Sequence, residues 1–407
     1  MTKGLGAVYN DVWLVDGVRT GFADFTSVLR DISPTDLGIK VAREALAKAA
    51  IPAAEIDMVV AGNMAQSSFD AYFLPRHIGL YSGVPLETPA LLVHRLCGTG
   101  FETIIQAADA ITLGKATKVL CVGTESMSRN PVASYTSRSG FKMGQVEFKD
   151  FLWEATKDTA SSTGMGDTAE NLAKKYNISR EEVDEFAAQS FARAIAGMEF
   201  RSGEIVPVIN ETFSLAGYND RGIRLPKGVE NFAIDEHVRP TPLSILNKLK
   251  PAFKGVQTGG NSSAVVDGAA AAIVVGGQTV RERGLKPLAR VVAADVVGVP
   301  PEIMGIGPAP AIAAVVERAG LKLSDIDRFE INEAFGAQYL AVEKELGLDR
   351  SKVNVNGGAI ALGHPLGVTG VRLCITVARE LRRAGLKRGI ASACIGGGQG
   401  VAILIEV

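Results

Sequence analysis

An excess of charge of either sign, disulfide-type cysteine spacing and long apolar runs are all missing from this 407-residue chain. Each absence excludes something. The 43 Lys and Arg are balanced by 44 Asp and Glu, which gives no reason to expect nucleic acid or an anionic membrane, since both favour concentrated positive charge, and any basic patch must be local. Neither is expected as a partner. Four cysteines, Cys97, Cys121, Cys374 and Cys394, lie far apart and without Cys-x-x-Cys spacing, which suggests neither a disulfide framework nor a zinc site. Free thiols in a reducing compartment fit best. The longest apolar stretch, near Ala269 to Val275, is too short to span a bilayer, and no charged segment leads into an apolar run at the N-terminus. The expectation is a soluble, cytoplasmic protein.

What is present in abundance is apolar material, 47% of residues, enough for a large core and for two or three domains. An internal repeat organises it. Ile56-Asp57-Met58-Val59-Val60 recurs 270 positions later as Ile326-Asp327-Arg328-Phe329-Glu330, and Thr99-Gly100 recurs at the same offset as Thr369-Gly370. After each Thr-Gly pair an amphipathic helix keeps its apolar positions in register, Ile105 with Ile375 and Ala108 with Ala378, and leads into an apolar strand. Strands alternating with helices predict βαβ units, a mainly parallel sheet and an α/β fold in two duplicated halves. The second half ends on Gln399 to Ile405, whose upstream counterpart, Asp267 to Val275, lies beyond a region with no copy. Residues 129–258 therefore read as an insertion into the first half, with a helical stretch from Thr168 to Met198 whose Ser179 and Glu182 form a capping-box pattern. The expected domains are residues 1–128 with 259–287, residues 129–258, and residues 288–407.

Cys97, in Leu96-Cys97-Gly98-Thr99-Gly100, falls between a predicted strand and a helix start, where partial positive charge favours a thiolate. It is a candidate nucleophile. Cys394 falls at the C-terminal end of a predicted strand, ahead of Gly396-Gly397-Gly398, whose N–H groups can act as an oxyanion hole. It is equally a candidate. His364, in Gly363-His364-Pro365, lies in a loop too rich in glycine for a core element and reads as a catalytic base. His94, three residues before Cys97, can line the same site, whereas His77 and His237 lack such a setting. Cys121 and Cys374 are expected in the core. Asn332-Glu333-Ala334-Phe335 follows a predicted strand; its amide and carboxylate can hold a water or orient a histidine, though taken alone the motif reads as a helix N-cap.

Five blocks in order, Cys-Gly-Thr-Gly from Cys97, Gly-Thr-Glu-Ser-Met-Ser from Gly123, Asn-Glu-Ala-Phe, Gly-His-Pro and Cys-Ile-Gly-Gly-Gly, resemble the thiolase family over nearly the whole chain. The resemblance implies βαβαβ-type halves forming a layered αβαβα core with an inserted loop domain that binds coenzyme A. It implies an acyltransferase of fatty acid metabolism that condenses two acyl-CoA molecules or cleaves a 3-ketoacyl-CoA, with coenzyme A as substrate and neither cofactor nor metal. It also implies a homodimer or homotetramer. Laid on this sequence, it makes Cys97 the nucleophile, His364 its base and Cys394 the proton-transfer acid and base. His364 and a water on Asn332 would hold the enolate, the N–H groups of Cys97 and Gly396 the tetrahedral intermediate, and Glu333 would support them. Ser263, Phe335 and Met165 match positions along the pantetheine, and Arg239 is a candidate phosphate partner. Three departures touch specificity: His94 stands where members often have Asn, Ser161 to Gly164 offer no histidine before Met165, and Pro240 to Ser244 replace the usual glycine-threonine run. Other condensing enzymes of this scaffold lack the second cysteine and its glycines. A non-catalytic acyl-CoA-binding subunit would more naturally have lost one of these residues.

Overall fold

A computed structural model describes residues 4–65 and 68–407. The strands that matter to the site are β1 (Leu5–Thr20), β2 (Met58–Gly62), β3 (Ala90–Val93), β4 (Lys118–Glu125), β5 (Val266–Gly276), β6 (Ala289–Gly298), β7 (Arg328–Ile331), β8 (Arg388–Ile395) and β9 (Gln399–Glu406). The helices are α1 (Pro34–Ala49), α2 (Thr99–Thr112), α3 (Phe151–Ala155), α4 (Met165–Lys175), α5 (Arg180–Ala196), α6 (Pro308–Arg318), α7 (Gly336–Leu346) and α8 (Leu366–Ala384). The strand order is β7-β8-β9-β6-β1-β5-β4-β2-β3. Read outward from the β6–β1 junction, β6-β9-β8-β7 on one side repeats β1-β5-β4-β2 on the other, and β3 extends the first half by one strand.

The sheet is mixed, not mainly parallel. β2, β3 and β4 run parallel, as do β7 and β8, but β5 is antiparallel to both β1 and β4, and β9 is antiparallel to β8 and β6. Only Gly396, Gly397 and Gly398 separate β8 from β9. So short a link permits a hairpin and no crossover.

Apolar clustering defines the layers. α1 packs on one face of the first-half strands, α6 and α7 on the outer face of the second-half strands, and α2 and α8 lie between the two halves. Ala269 to Val275 of β5 are fully buried, as a strand covered on both faces must be. The repeat-related Gly100 and Gly370 allow α2 and α8 to touch backbone to backbone. A Cβ on Gly370 would lie 2.0 Å from the Phe101 nitrogen, and one on Gly100 2.7 Å from the Gly370 nitrogen. This contact holds together the two helix starts that follow Cys97 and His364.

The expected helical stretch within residues 129–258 resolves into α4 and α5, interrupted where Asn177 takes a φ of 50°. α5 begins with the reciprocal capping box of Ser179 and Glu182. A buried ionic cluster roots this region in the core. Asp235 accepts from Arg19 at 2.6 and 2.9 Å and from Arg201 at 3.1 Å, while Glu204 accepts from Thr376 of α8 at 2.9 Å. No described helix is long and apolar enough to cross a membrane.

Candidate active site

Four segments converge at strand ends and helix starts. Ile395, closing β8, abuts the turn before α2 so closely that a Cβ on Gly98 would lie 2.5 Å from its Cδ1. The His364 N–H donates to the Ala264 carbonyl at 3.0 Å, and the Ser263 N–H to that of Ala334 at 3.0 Å. The segment ahead of β5 is thereby laid between the two second-half motifs. The Asn332 N–H donates to Ser392 of β8 at 2.9 Å.

Cys97 is half-buried, and the residue before it, Leu96, takes a φ of 46°. A leucine in the left-handed region costs about 1–2 kcal/mol, so the turn is held by its surroundings. Burial pushes the Cys97 thiol up to about 11, against the pull of the Gly396 and Cys97 N–H groups aimed at the sulfur, and the Glu125 charge adds to the rise. The helix start was expected to favour a thiolate. The N–H groups act in that direction, but desolvation outweighs them. Cys394 is fully buried, and burial together with the proximity of Cys97 pushes its thiol well above the ordinary range.

His364 is only 5% exposed. Its Nδ1 lies 2.6 Å from Thr369 Oγ1, one turn into α8, and its Nε2 has no partner among the described residues. Burial, then the Arg372 charge, hold it down to about 3. The resting pair is thus a neutral thiol and a neutral imidazole. The Asn332 side chain is wholly buried with neither amide atom partnered among the described residues. Buried polar groups in folded proteins almost always have partners, so the unpartnered Asn332 amide and the unpartnered His364 Nε2 are each suited to a substrate oxygen or a bridging water. Glu333 accepts from Ser190 of α5 at 2.7 Å, Asn354 at 2.9 Å and the Ile360 N–H at 3.2 Å, and burial raises its carboxyl.

The walls are apolar. Met165, Met304, Ala334 and Phe335 pack around Cys394, and Met64, Met127, Leu366, Leu96, Leu152 and Ala155 around Cys97. Met165 Sδ would lie 3.3 Å from a Cβ on Gly396, and the Phe253 ring meets Phe335 edge-on at 6.2 Å. Arg239 is exposed and 3.8 Å from Asp24, and His94 is exposed at the end of β3. Neither hydrogen-bonds to Cys97, Cys394, His364 or Asn332 among the described residues. Cys121 and Cys374 are fully buried in the central apolar layer. Phe253 and Met304 were not singled out from the sequence, Thr369 entered only as part of the repeat, and Glu125 only within the block from Gly123 to Ser128. Among the described residues no cluster of His, Cys, Asp and Glu is arranged to hold a metal ion.

Residues 12–278 match the family described as Thiolase, N-terminal domain, and residues 285–407 match Thiolase, C-terminal domain. Over 406 residues, 98% of this chain and 99% of the relative, the sequence is 45% identical to the human protein named 3-ketoacyl-CoA thiolase, mitochondrial. It is 39% identical to an acetyl-CoA acetyltransferase of Syntrophomonas wolfei, with 97% and 99% of the two chains covered. The crystal structure of the human mitochondrial enzyme in complex with CoA superposes with a TM-score of 0.91 at 45% identity, covering 97% of this chain and 98% of the other. These relatives overturn the expected cytoplasmic location, because mammalian proteins 45–46% identical to the chain are named as mitochondrial. Free thiols indicate a reducing compartment, not which one. With the two family domains spanning nearly all of the sequence and relatives matched end to end, the chain belongs to the thiolase family.

Proposed function

We propose that this protein cleaves a 3-ketoacyl-CoA with coenzyme A and runs the reverse Claisen condensation of two acyl-CoA molecules. The reading is supported by two separate sets of hydrogen-bonding groups: the Gly396 and Cys97 N–H groups face the Cys97 sulfur, while His364 Nε2 and the Asn332 amide are buried with no partner among the described residues. Thioester Claisen chemistry develops negative charge at two places, a tetrahedral oxyanion and an enolate, and needs a donor set for each.

In cleavage, Cys97 Sγ attacks the keto carbon and passes its proton to His364 Nε2. The neighbouring carbon–carbon bond breaks, and the departing acetyl-CoA enolate, held by Nε2–H and a water on Asn332, takes the proton of the Cys394 thiol. The acyl group remains on Cys97. A coenzyme A thiol then gives its proton to the Cys394 thiolate and attacks the acyl carbon, and the released Cys97 sulfur recovers its proton from His364. A base depressed to about 3 and a thiol raised to about 11 keep the charge-separated pair from forming before substrate arrives.

Residues 129–258 serve as a loop domain inserted between residues 1–128 and 259–287, and contribute Met165 and Phe253 to the substrate channel. Residues 288–407 form the second half. The pantetheine runs past Met165, Ser263 and Phe335, Arg239 meets the phosphates, and His94 faces the entrance. The assembly is a homodimer or homotetramer: β3 is a sheet edge, and Leu91 upon it, with Phe73 and Leu86 nearby in sequence, is exposed. Acetoacetyl-CoA and coenzyme A with the purified protein should yield two acetyl-CoA, followed by chromatography. Unchanged acetoacetyl-CoA would sink the reading.

A further inference from the structure

Glu125 closes β4 with a wholly buried side chain. Among the described residues it accepts four hydrogen bonds. Asn63 Nδ2 at 3.0 Å and the Ala65 N–H at 3.1 Å meet Oε1, while the Met64 N–H at 3.0 Å and the Gly367 N–H at 2.9 Å meet Oε2. Three of the four belong to the turn after β2 and the fourth to the first turn of α8. Those two segments carry the floor of the site: Met64, Ala65 and Leu366 share one apolar cluster with Leu96 and Cys97, and Gly367 lies three residues beyond His364. There is no slack in the joint, since a Cβ on Gly367 would come 3.0 Å from Glu125 Oε2 and 3.3 Å from the Met64 nitrogen.

We propose that Glu125 is a positioning residue for acyl transfer, whose carboxylate clamps the turn after β2 to the start of α8 and so fixes Cys97 against His364. The inference rests on the roles given above to Cys97 and His364. Four donors converging on two oxygens suit only a carboxylate: a protonated acid or an amide turns a donor of its own toward donors already there. Burial pushes the Glu125 carboxyl up to about 7 against the pull of its N–H partners. The titratable groups beside it are Asp267 of β5, itself pushed up to about 6 by burial and bonded to Ser128, and Cys97. The described residues of the two clamped segments bring only amide donors to it. The clamp therefore loosens as the medium turns acidic through neutrality, and the acylation rate carries that limb.

Glu125→Gln keeps the shape and removes the charge. The experiment measures kcat and KM for thiolysis of acetoacetyl-CoA, together with the pH profile of acylation by acetyl-CoA, in the full-length protein. The expected result is a kcat at least about tenfold lower, KM for coenzyme A within about twofold, and loss of the limb near neutrality. A Gln variant as fast as a turning-over wild type, or one that retains the limb, overturns the clamp alone and leaves the thiolase reading intact. Should the Gln variant fail to fold, Glu125→Asp, which keeps the charge but shortens the reach, should lower kcat while retaining the limb, and wild-type kcat in it overturns the proposal.

Discussion

Thr369→Val is the sharpest single-atom test of how His364 works. The substitution keeps the shape of the side chain and deletes one hydroxyl, which lies 2.6 Å from Nδ1 of a nearly inaccessible imidazole. When Nε2 takes the Cys97 proton, the ring becomes cationic and its Nδ1–H donates to Thr369 Oγ1. A hydrogen bond to a charged group contributes about 1.5–3 kcal/mol, and each 1.4 kcal/mol of barrier is about a factor of ten. The acylation rate should therefore fall roughly ten- to hundredfold. Substrate affinity should hardly change, because the contact strengthens only when the ring is charged. Stopped-flow acylation with acetyl-CoA gives the rate, and calorimetric titration with coenzyme A gives the affinity. Acylation within threefold of wild type, or a loss confined to coenzyme A affinity, would refute the assignment of Nε2 as the base with Thr369 behind it.

Gly370→Ala places a Cβ 2.0 Å from the Phe101 nitrogen and should destabilise the fold by about 3 kcal/mol through forced separation of α2 and α8; an unchanged urea midpoint would contradict the backbone-to-backbone packing. His364 is held neutral down to about 3 from an ordinary 6.5, so below pH 6.5 the unfolded chain takes up a proton that the native state refuses, and stability is lost as pH falls through that window. His364→Gln should flatten the acid side of the unfolding free energy between about pH 6 and pH 4, and a parallel curve for the variant would show the imidazole titrating normally. Cys121→Ala with Cys374→Ala should cost about 1–2 kcal/mol of stability by loss of core contacts and leave the turnover of the folded protein intact, whereas lost turnover would assign either thiol a chemical role. Arg19→Met leaves Asp235 and Glu204 short of a buried partner and should destabilise the protein by about 3–5 kcal/mol, detectable as early proteolytic cleavage within residues 129–258.

The parts legible in the sequence were those that repeat or that break a pattern. Thr99-Gly100 and Thr369-Gly370 announced the duplicated halves, and the structure places those glycines in mutual contact. Cys97 and His364 stood out because a nucleophilic or basic side chain in a glycine-rich segment is not explained by packing, and Cys394 because it ends a strand just ahead of three glycines. Strand direction was not legible, because a short apolar run looks the same either way and only the three-residue link between β8 and β9 decides it. Glu125 was hidden for a different reason: its partner Gly367 is 242 residues away and donates through its backbone, which leaves no trace in side-chain identity. Thr369 registered only as a marker of the repeat, since a helix residue five positions beyond a histidine says nothing about its hydroxyl's partner. Phe253 sits in an irregular loop with no periodicity to betray its contact with Phe335. The thiolate expected at Cys97 failed because helix starts are visible in sequence and burial is not.

The division of labour between Cys97 and Cys394 is the centre of this account, and trapping the acyl-enzyme tests it most directly. Wild type and Cys394→Ala are incubated with acetyl-CoA, quenched in acid, digested and read by peptide mass spectrometry. The acetyl group should be found on the Cys97 peptide in both proteins, with Cys394→Ala accumulating it yet neither condensing it with a second acetyl-CoA nor returning it to coenzyme A. An acetyl group on the Cys394 peptide with Cys97 unmodified, or full turnover in Cys394→Ala, would contradict it.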